Sequence, residues 1–387
     1  MNVRDHLFIV ISGDNANALG VVRSLGEAGI KPVLIYLVEE SHLPMLIKSR
    51  YLNIVHKVLS YTEGVDLLIE KYSGLKIKPF VYSCDDSLES IIDNRFEELI
   101  NDFYFFNAGG KGKVSRLMDK SEICRIAESC GFRAPKYEVV KKGELPKSLS
   151  YPVVTKTLMS IMGAWKADSF VCNDEKELLD AYKTIVSDDL IIEEYIEKKN
   201  ELAVEGFSIN GGQEVYIPYS IRYIRFSSNS YGHYMHCDLL KDDCLLSGLK
   251  SIMEKCHYSG CFEVEFLIDK DDRLWFLEVN FRFSLWNYAL TFGGINYPLF
   301  WAESTLANSI PPSEASSSVS LPLKSSFTAI NEPGDFSQVV QIQRGSLLGW
   351  LKDVWNADMC YVYNPRDKNP CYSFWSHKLF KKFRRGK

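Results

Sequence analysis

The sequence predicts a mixed α/β (α+β) chain, with a parallel α/β unit at the start and antiparallel sheets in two lobes after it. Three observations predict it. The opening residues run apolar segment, turn, helix-like segment, second apolar segment, which is the order of a βαβ unit and requires parallel strands. The middle of the chain carries apolar runs joined by turn chemistry, among them Asn210-Gly211-Gly212 and Asp269-Lys270-Asp271-Asp272, as antiparallel hairpins need. One of those runs, LWFLEVNFRF at residues 274–283, sets Glu278, Asn280 and Arg282 on one face of an otherwise apolar strand.

The elements follow in order. LFIVIS after His6 is a strand, Gly13–Asn17 a turn, Ala16–Ala28 a helix closed by Gly29, and Lys31–Leu37 the second strand. Pro79–Ser83 is a third strand, running into Asp85-Asp86-Ser87, whose side chains suit a helix N-cap. The first turn, SGDNANALG, lacks the GxGxxG spacing, so no dinucleotide site is expected there. Asp119 caps a helix starting at Lys120, Glu122 completes a capping-box pattern, and Gly131 ends it. Tyr151–Leu158, which contains Lys156, is a strand; the loop MSIMGAWKADS, a short strand Phe170–Cys172, a helix Asp174–Val186 and a strand Leu190–Ile196 come next. Glu201–Ile209 and Val215–Arg225 flank one turn, and Cys261–Ile268 and Arg273–Phe283 form the last hairpin. Pro311–Ser320 has linker composition, and a Trp- and Tyr-rich segment follows it. The expected domains are 1–112, 113–310 (small lobe about 113–190, large lobe about 191–310) and a linker with extension at 311–387.

Composition excludes several classes of function. With 46% hydrophobic and 25% charged residues, the 387-residue chain has ample core for a soluble globular protein. A net charge of −5 supplies no global basic field for nucleic acid. Ten cysteines without CxxC pairs are read as reduced thiols, hence a cytoplasmic setting. The apolar run after Arg4 and Asp5 is too short for a signal-peptide core, and no stretch is long enough to span a bilayer. The basic, amphipathic KLFKKFRRGK is expected to be solvated, with an anionic membrane surface or a partner as the alternative.

The hairpin carries the chemistry. If Asp271-Asp272 form a two-residue turn, Lys270 opposes Arg273, Leu267 opposes Phe276 and Glu265 opposes Glu278. Directly opposed residues lie roughly 4.5–5.5 Å apart at Cβ, where like charges repel. Two carboxylates and the oxygen of Asn280 on one face ask for a cation, and hard oxygen ligands favour Mg2+ (or Mn2+), which shares its shell with phosphate and water. Arg282, one pleat further, faces a phosphate or a developing anion. A solvated strand face with a Glu–Arg pair is the alternative, and a one-residue slip would abolish the arrangement.

FEVEFLIDKDDRLWFLEVNFRF resembles the metal-binding hairpin of ATP-grasp ligases, whose second strand reads Glu-x-Asn-x-Arg. Other landmarks of that family stand in the same order over roughly residues 113–310, and the opening βαβ region resembles the domain that precedes an ATP-grasp fold. The resemblance implies an N-terminal parallel α/β pre-ATP-grasp domain followed by a two-lobed ATP-grasp fold. It implies that Lys120 and Lys156 contact ATP, that adenine meets main-chain groups around Glu193, Glu194, Tyr195 and Ile196 in IIEEYI, and that Glu201 binds ribose. By the same match Glu265, Glu278 and Asn280 bind the metal ions, and Arg282 contacts phosphate and the reacting carboxyl group. MSIMGAWKADS has a single glycine where relatives often carry a glycine-rich lid; Ser160, Gly163 and Lys166 are its phosphate-contacting candidates. NFRFS stands in place of the commoner Asn-Pro-Arg.

Other constellations are weaker. His233, His236 and Cys237 in HYMHC lack the convergent spacing of a zinc site. Arg222 and Arg225 are candidates for an acidic substrate, WNYALTFGGINYPLFW packs beneath the hairpin, and GGINYP is a candidate part of the acceptor pocket. No Gly-x-Ser-x-Gly elbow or cysteine-nucleophile motif occurs. The expected activity is an ATP-dependent carboxylate–amine ligase, with Lys156 and Arg282 as its catalytic cations. Its partners are a small carboxylate and an amine, and a homodimer is the default assembly. A bicarbonate-activating enzyme and a nucleotide-binding scaffold without turnover are the alternatives.

Overall fold

The computed structural model describes residues 2–38, 44–159, 168–227 and 230–385. Its first sheet is parallel, with strands β1 (Phe8–Ser12), β2 (Val33–Leu37), β3 (Ile54–Val58) and β4 (Phe80–Ser83) in the order β3-β2-β1-β4. Every residue of β1 is buried, as expected of a central parallel strand covered on both faces. The helix Ala16–Glu27 is capped by the Asn15 side chain, which accepts from the Ala18 N–H, and Gly29 follows with φ +82°. Neither β3 nor the helix Tyr61–Tyr72 was anticipated. IVHKV is a half-exposed edge strand, and its charged interior masks the apolar run that marks its neighbours. Asp85 caps the helix Asp86–Asn94 as expected, accepting from the Ser87 and Leu88 N–H groups.

The second sheet is antiparallel, with β5 (Tyr137–Lys141), β6 (Val153–Thr157), β7 (Phe170–Cys172) and β8 (Asp189–Glu194) in the order β5-β8-β6-β7. Its helix, Glu175–Ala181, is shorter than the expected Asp174–Val186. The carboxylate of Asp168 takes the Val186 and Ser187 N–H groups at 2.8 and 3.0 Å, drawing the chain out of the helix toward β8.

The third sheet is the largest. Strands β9 (Lys198–Ile209), β10 (Glu214–Ser227), β11 (Ser230–Leu239), β12 (Gly260–Asp269), β13 (Leu274–Asn280), β14 (Ser326–Ile330) and β15 (Met359–Cys360) run β13-β12-β9-β10-β11-β14-β15. The sheet therefore continues past residue 310, because β14 pairs with β11 and β15 with β14. The segment after the hairpin forms helices Asn287–Gly293 and Tyr297–Ala307. Trp286, Tyr288 and Trp301 are buried, and the Trp301 ring meets Phe80, Tyr82 and Phe106, packing the large sheet's helices onto the parallel sheet.

The hairpin β12–β13 opposes Glu265 to Glu278, as expected, by a different route. The turn has three residues, not two: Asp269 pairs with Arg273, and Asp272 stands in the left-handed region at φ +60°. Near the turn Leu267 therefore opposes Trp275, not Phe276. A bulge between Glu265 and Phe266 then takes up one residue of β13 and restores the opposition of the two acids. Strand β13 ends at Asn280, so Arg282 lies just beyond it.

Candidate active site

Pairing across three neighbouring strands gathers acids on one face of the large sheet. Glu205 of β9 opposes Glu263 of β12, Ala203 opposes Glu265, and Glu263 in turn opposes Asn280 of β13. Residues two apart share a face, so Glu201, Glu205, Glu263, Glu265, Glu278 and Asn280 stand together. The Asn280 amide donates to Glu263 at 3.0 Å and to Glu265 at 3.1 Å, while its oxygen accepts from Arg282 at 3.2 Å.

Burial pushes the Glu265 carboxyl well above the usual range, and Glu263, Glu278 and Glu201 push in the same direction. Glu205 is raised by burial and by Glu263, although it accepts the Ser284 N–H and hydroxyl at 3.1 and 2.8 Å. Glu263 is pushed up to about 7 by burial, with Arg282 and Asn280 tempering the rise. Glu278 differs: burial would raise it too, but the ammonium of Lys120 beside it holds it below its ordinary value. The same contact works on Lys120, where burial lowers the ammonium and Glu278 outweighs that.

Lys120 reaches Glu278 because Asp119 starts the helix Lys120–Ser129, accepting from Ser121 N–H at 2.8 Å and Glu122 N–H at 3.2 Å. The expected return bond of a capping box is replaced: the Glu122 carboxylate pairs with Arg116 and Arg125. The Lys120 N–H donates to the carbonyl of Leu158, so the helix start is fixed to the end of β6. Two residues back on that strand, Lys156 pairs with Glu193 of β8 at 2.6 Å. The Lys156 head thus faces a partner strand.

The remaining expected nucleotide contacts divide. Glu201 is buried and pairs with Lys198 at 2.5 Å, on the face that carries Glu278. Glu194 braces the end of β8, its carboxylate accepting the Lys136 N–H at 2.8 Å and its own N–H donating to the Lys136 carbonyl. The Tyr195 N–H donates to the Pro152 carbonyl. The N–H groups of Glu194 and Tyr195 are thus used within the fold, and Ile196 is half-buried just beyond. Ser160, Gly163 and Lys166 lie outside the described residues.

Two further candidate groups are engaged within the fold. Arg225 is held by Asp335 at 2.7 Å and Asp353 at 2.9 Å. In GGINYP, the Asn296 amide donates to the Ser24 carbonyl and the Gly293 carbonyl accepts from Tyr219, so this stretch packs the lobe onto the helix Ala16–Glu27. The residues that sequence reasoning missed are Glu263, Glu205 and Asp86. Glu263 shares the parity of Glu265 in FEVEF, a signal present in the sequence. Asp86 had none, because it comes from the helix after β4 of the parallel sheet, 196 residues away, to hold Arg282 with bonds of 2.8 and 3.1 Å.

The donor set fits a hard divalent cation. Glu265 faces Glu263, Glu278 and Glu201, a crowding of acids that a cation would relieve. Among the described residues no three or more His, Cys, Asp or Glu side chains form a ready metal group. Two carboxylates and an amide are an incomplete cage, and that suits Mg2+, which completes its shell with water and phosphate. His236 is half-buried and Cys237, its neighbour in β11, is buried on the opposite face, so the two do not converge as zinc ligands would.

No protein-family model matches the sequence, and no curated protein does. Solved structures resemble it at low identity. An L-amino acid ligase from Bacillus licheniformis superposes with a TM-score of 0.61 at 16% identity, over 84% of this chain and 79% of that one. N5-carboxyaminoimidazole synthetase from Staphylococcus aureus gives 0.63 at 16%, over 87% and 85%. The biotin carboxylase domain of the Hydrogenobacter thermophilus 2-oxoglutarate carboxylase, in complex with MgADP, ADP and bicarbonate, gives 0.64 at 18%, over 83% and 73%. At these identities the likeness is one of fold: with its parallel four-stranded sheet, small antiparallel sheet and large seven-stranded sheet, the chain has the ATP-grasp fold.

Proposed function

We propose that this chain is an ATP-dependent carbon–nitrogen ligase that activates a substrate carboxylate as an acyl phosphate and joins it to an amine. The observation that carries the reading is the face where Glu265 opposes Glu278, with Lys120 bound to Glu278 and Arg282 beside Asn280. Lys120 and Lys156 bind the triphosphate, Glu201 the ribose, and main-chain groups of residues 193–196 that the sheet leaves open read adenine. When bound, Mg2+ (or Mn2+) would be held by Glu265, Glu278 and Asn280 and would neutralise triphosphate oxygens.

A carboxylate oxygen of the substrate attacks the γ-phosphorus, and the bond to the bridging oxygen of ADP breaks. The Arg282 guanidinium, oriented by Asp86, balances the charge of the transferring group and of the reacting carboxyl. The amine nitrogen then attacks the acyl carbon, phosphate departs, and the nitrogen gives up its proton. No protein nucleophile is needed, since the acyl phosphate is itself the activated species.

Phosphate release from ATP is measured against amino acids, amino sugars and small dicarboxylates, with product mass. An 18O-labelled substrate carboxylate should deliver one label to the released phosphate and yield an amide. The likeness to a biotin carboxylase domain favours a second reading, bicarbonate as the activated carboxylate. Turnover with bicarbonate and no organic acid would select it. ATP binding without turnover on any carboxylate would leave a scaffold and end the ligase proposal.

A further inference from the structure

The residues after β14 build a layer that the proposed chemistry does not use. Ser346 caps the helix Leu347–Asn356, accepting from the Gly349 N–H. One side of this helix is anchored. Trp350 is buried against Phe336, ring centres 5.0 Å apart, and lies 6.3 Å from Trp375 of the helix Asn369–Arg385. Asp353 accepts from Arg225, which fixes the helix to β10.

The opposite side is apolar and bare. Leu347, Leu348, Leu351 and Trp355 fall within an arc of about 100° at 3.6 residues per turn. Leu348 is 78% exposed and Trp355 88%, and Ile342, just before the helix, is 75% exposed. Leucines and a tryptophan on one stripe have no reason to face water, and such a surface marks an interaction site. Charge then identifies what covers it. In a chain of net charge −5, residues 369–387 carry six Lys or Arg and no acid. The helix that begins this run packs beside Trp350, and Lys378 lies over the rings of Phe336 and Trp375 at 4.9 and 5.3 Å.

We propose that this layer docks on an anionic bilayer surface. The stripe of Leu347, Leu348, Leu351 and Trp355 enters the boundary between headgroups and acyl chains, and the basic run binds headgroup anions. Tryptophan at the end of the stripe suits that boundary. A second copy of the chain is a poorer occupant, because each copy adds the same six Lys or Arg and no acid over residues 369–387, like charges that repel.

The test uses the full chain and flotation with vesicles of phosphatidylcholine, with and without phosphatidylglycerol. The chain should float only with the anionic vesicles, and less in raised salt. Leu348→Glu with Trp355→Glu, and separately Lys381→Glu with Lys382→Glu, should each lower partitioning roughly tenfold or more. The altered apolar side chains are solvent-exposed, so thermal unfolding should not move; the second pair of substitutions keeps the test decisive if the first fails to fold. Absence of flotation, equal flotation with phosphatidylcholine alone, or variants that float like the parent would each overturn the proposal. So would a dimer, seen by sedimentation, that Leu348→Glu with Trp355→Glu dissociates in a chain that ignores vesicles.

Discussion

Glu278 stands opposite Glu265 and also holds Lys120, so removing its charge has two consequences. Glu278→Gln keeps the shape of the side chain but takes a hard ligand from the acid pair and leaves a buried ammonium without its counter-charge. Its kcat for phosphate release should fall by about 10²-fold or more; full turnover in that variant would remove Glu278 from the metal set. A second acid tests electrostatics outside that set. Glu89 is buried in the helix Asp86–Asn94, and its carboxylate accepts from the Ser83 hydroxyl. Burial pushes its carboxyl well above the ordinary value of 4.5, which the Ser83 contact and Arg282 only partly offset, while Asp93 and Asp86 add to the rise. The folded state therefore keeps a proton that the unfolded chain gives up near pH 4.5. Its contribution to stability is complete below that pH and is lost as pH climbs toward the folded value. Thermal midpoints followed from about pH 5 to about pH 8 should fall, and Glu89→Gln should flatten the fall and raise the midpoint at the alkaline end. A parallel displacement of the two curves would show that Glu89 is charged throughout.

At the scale of elements, the helix Lys120–Ser129 matters because it aims Lys120. Asp119→Ala removes a side-chain acceptor for two N–H groups of the first turn, which costs about 1 kcal/mol in a typical N-cap. The loss should appear in urea unfolding, with a several-fold rise in KM for ATP because Lys120 loses its fixed origin; unchanged KM would separate this helix start from nucleotide binding. The cap was legible in Asp119-Lys120-Ser121-Glu122, as were β1, β2, the helix Ala16–Glu27 and the pairing of Glu265 with Glu278. The hairpin shows the limit of that legibility. Turn length and a bulge each shift register by one residue, and the two shifts cancel at the acids. A left-handed backbone at Asp272 is a choice an aspartate tolerates but does not announce. The edge strand β3 was illegible because exposure lets charged residues into it, and the end of the helix Glu175–Ala181 because a distant carboxylate, Asp168, decides it.

At the scale of the whole molecule, the contacts that join the sheets are those no local pattern records. Arg282 is oriented by Asp86 at the start of the helix after β4, and Arg23 on the helix Ala16–Glu27 is tied to residues more than 300 positions later. Both Arg23 and Asp367 are fully buried. The guanidinium donates to the Asp367 carboxylate at 3.1 Å and to the carbonyls of Tyr361, Val362 and Asp367 at 2.6, 2.9 and 3.0 Å. The carboxylate also accepts the Ser49 hydroxyl on the oxygen that faces Arg23, and the Arg50 N–H on the other. Asparagine at 367 has nearly the same shape but offers one acceptor and one donor. Whichever way its amide turns, an N–H₂ meets either the guanidinium or the Arg50 N–H, and the charge that balances Arg23 is gone. Breaking a buried pair by neutralising one partner costs about 3–5 kcal/mol, since the other charge stays behind in the core. Asp367→Asn should therefore lose stability of that order in urea unfolding. It should also expose the segment around Met359–Tyr363, which carries β15, to limited proteolysis ahead of the parallel sheet, because that segment is held to the helix Ala16–Glu27 through Arg23. A variant within about 0.5 kcal/mol of the parent, the size of an ordinary surface change, with an unchanged cleavage pattern, would mean that the layers are joined by apolar packing alone and that the buried pair only sets their register.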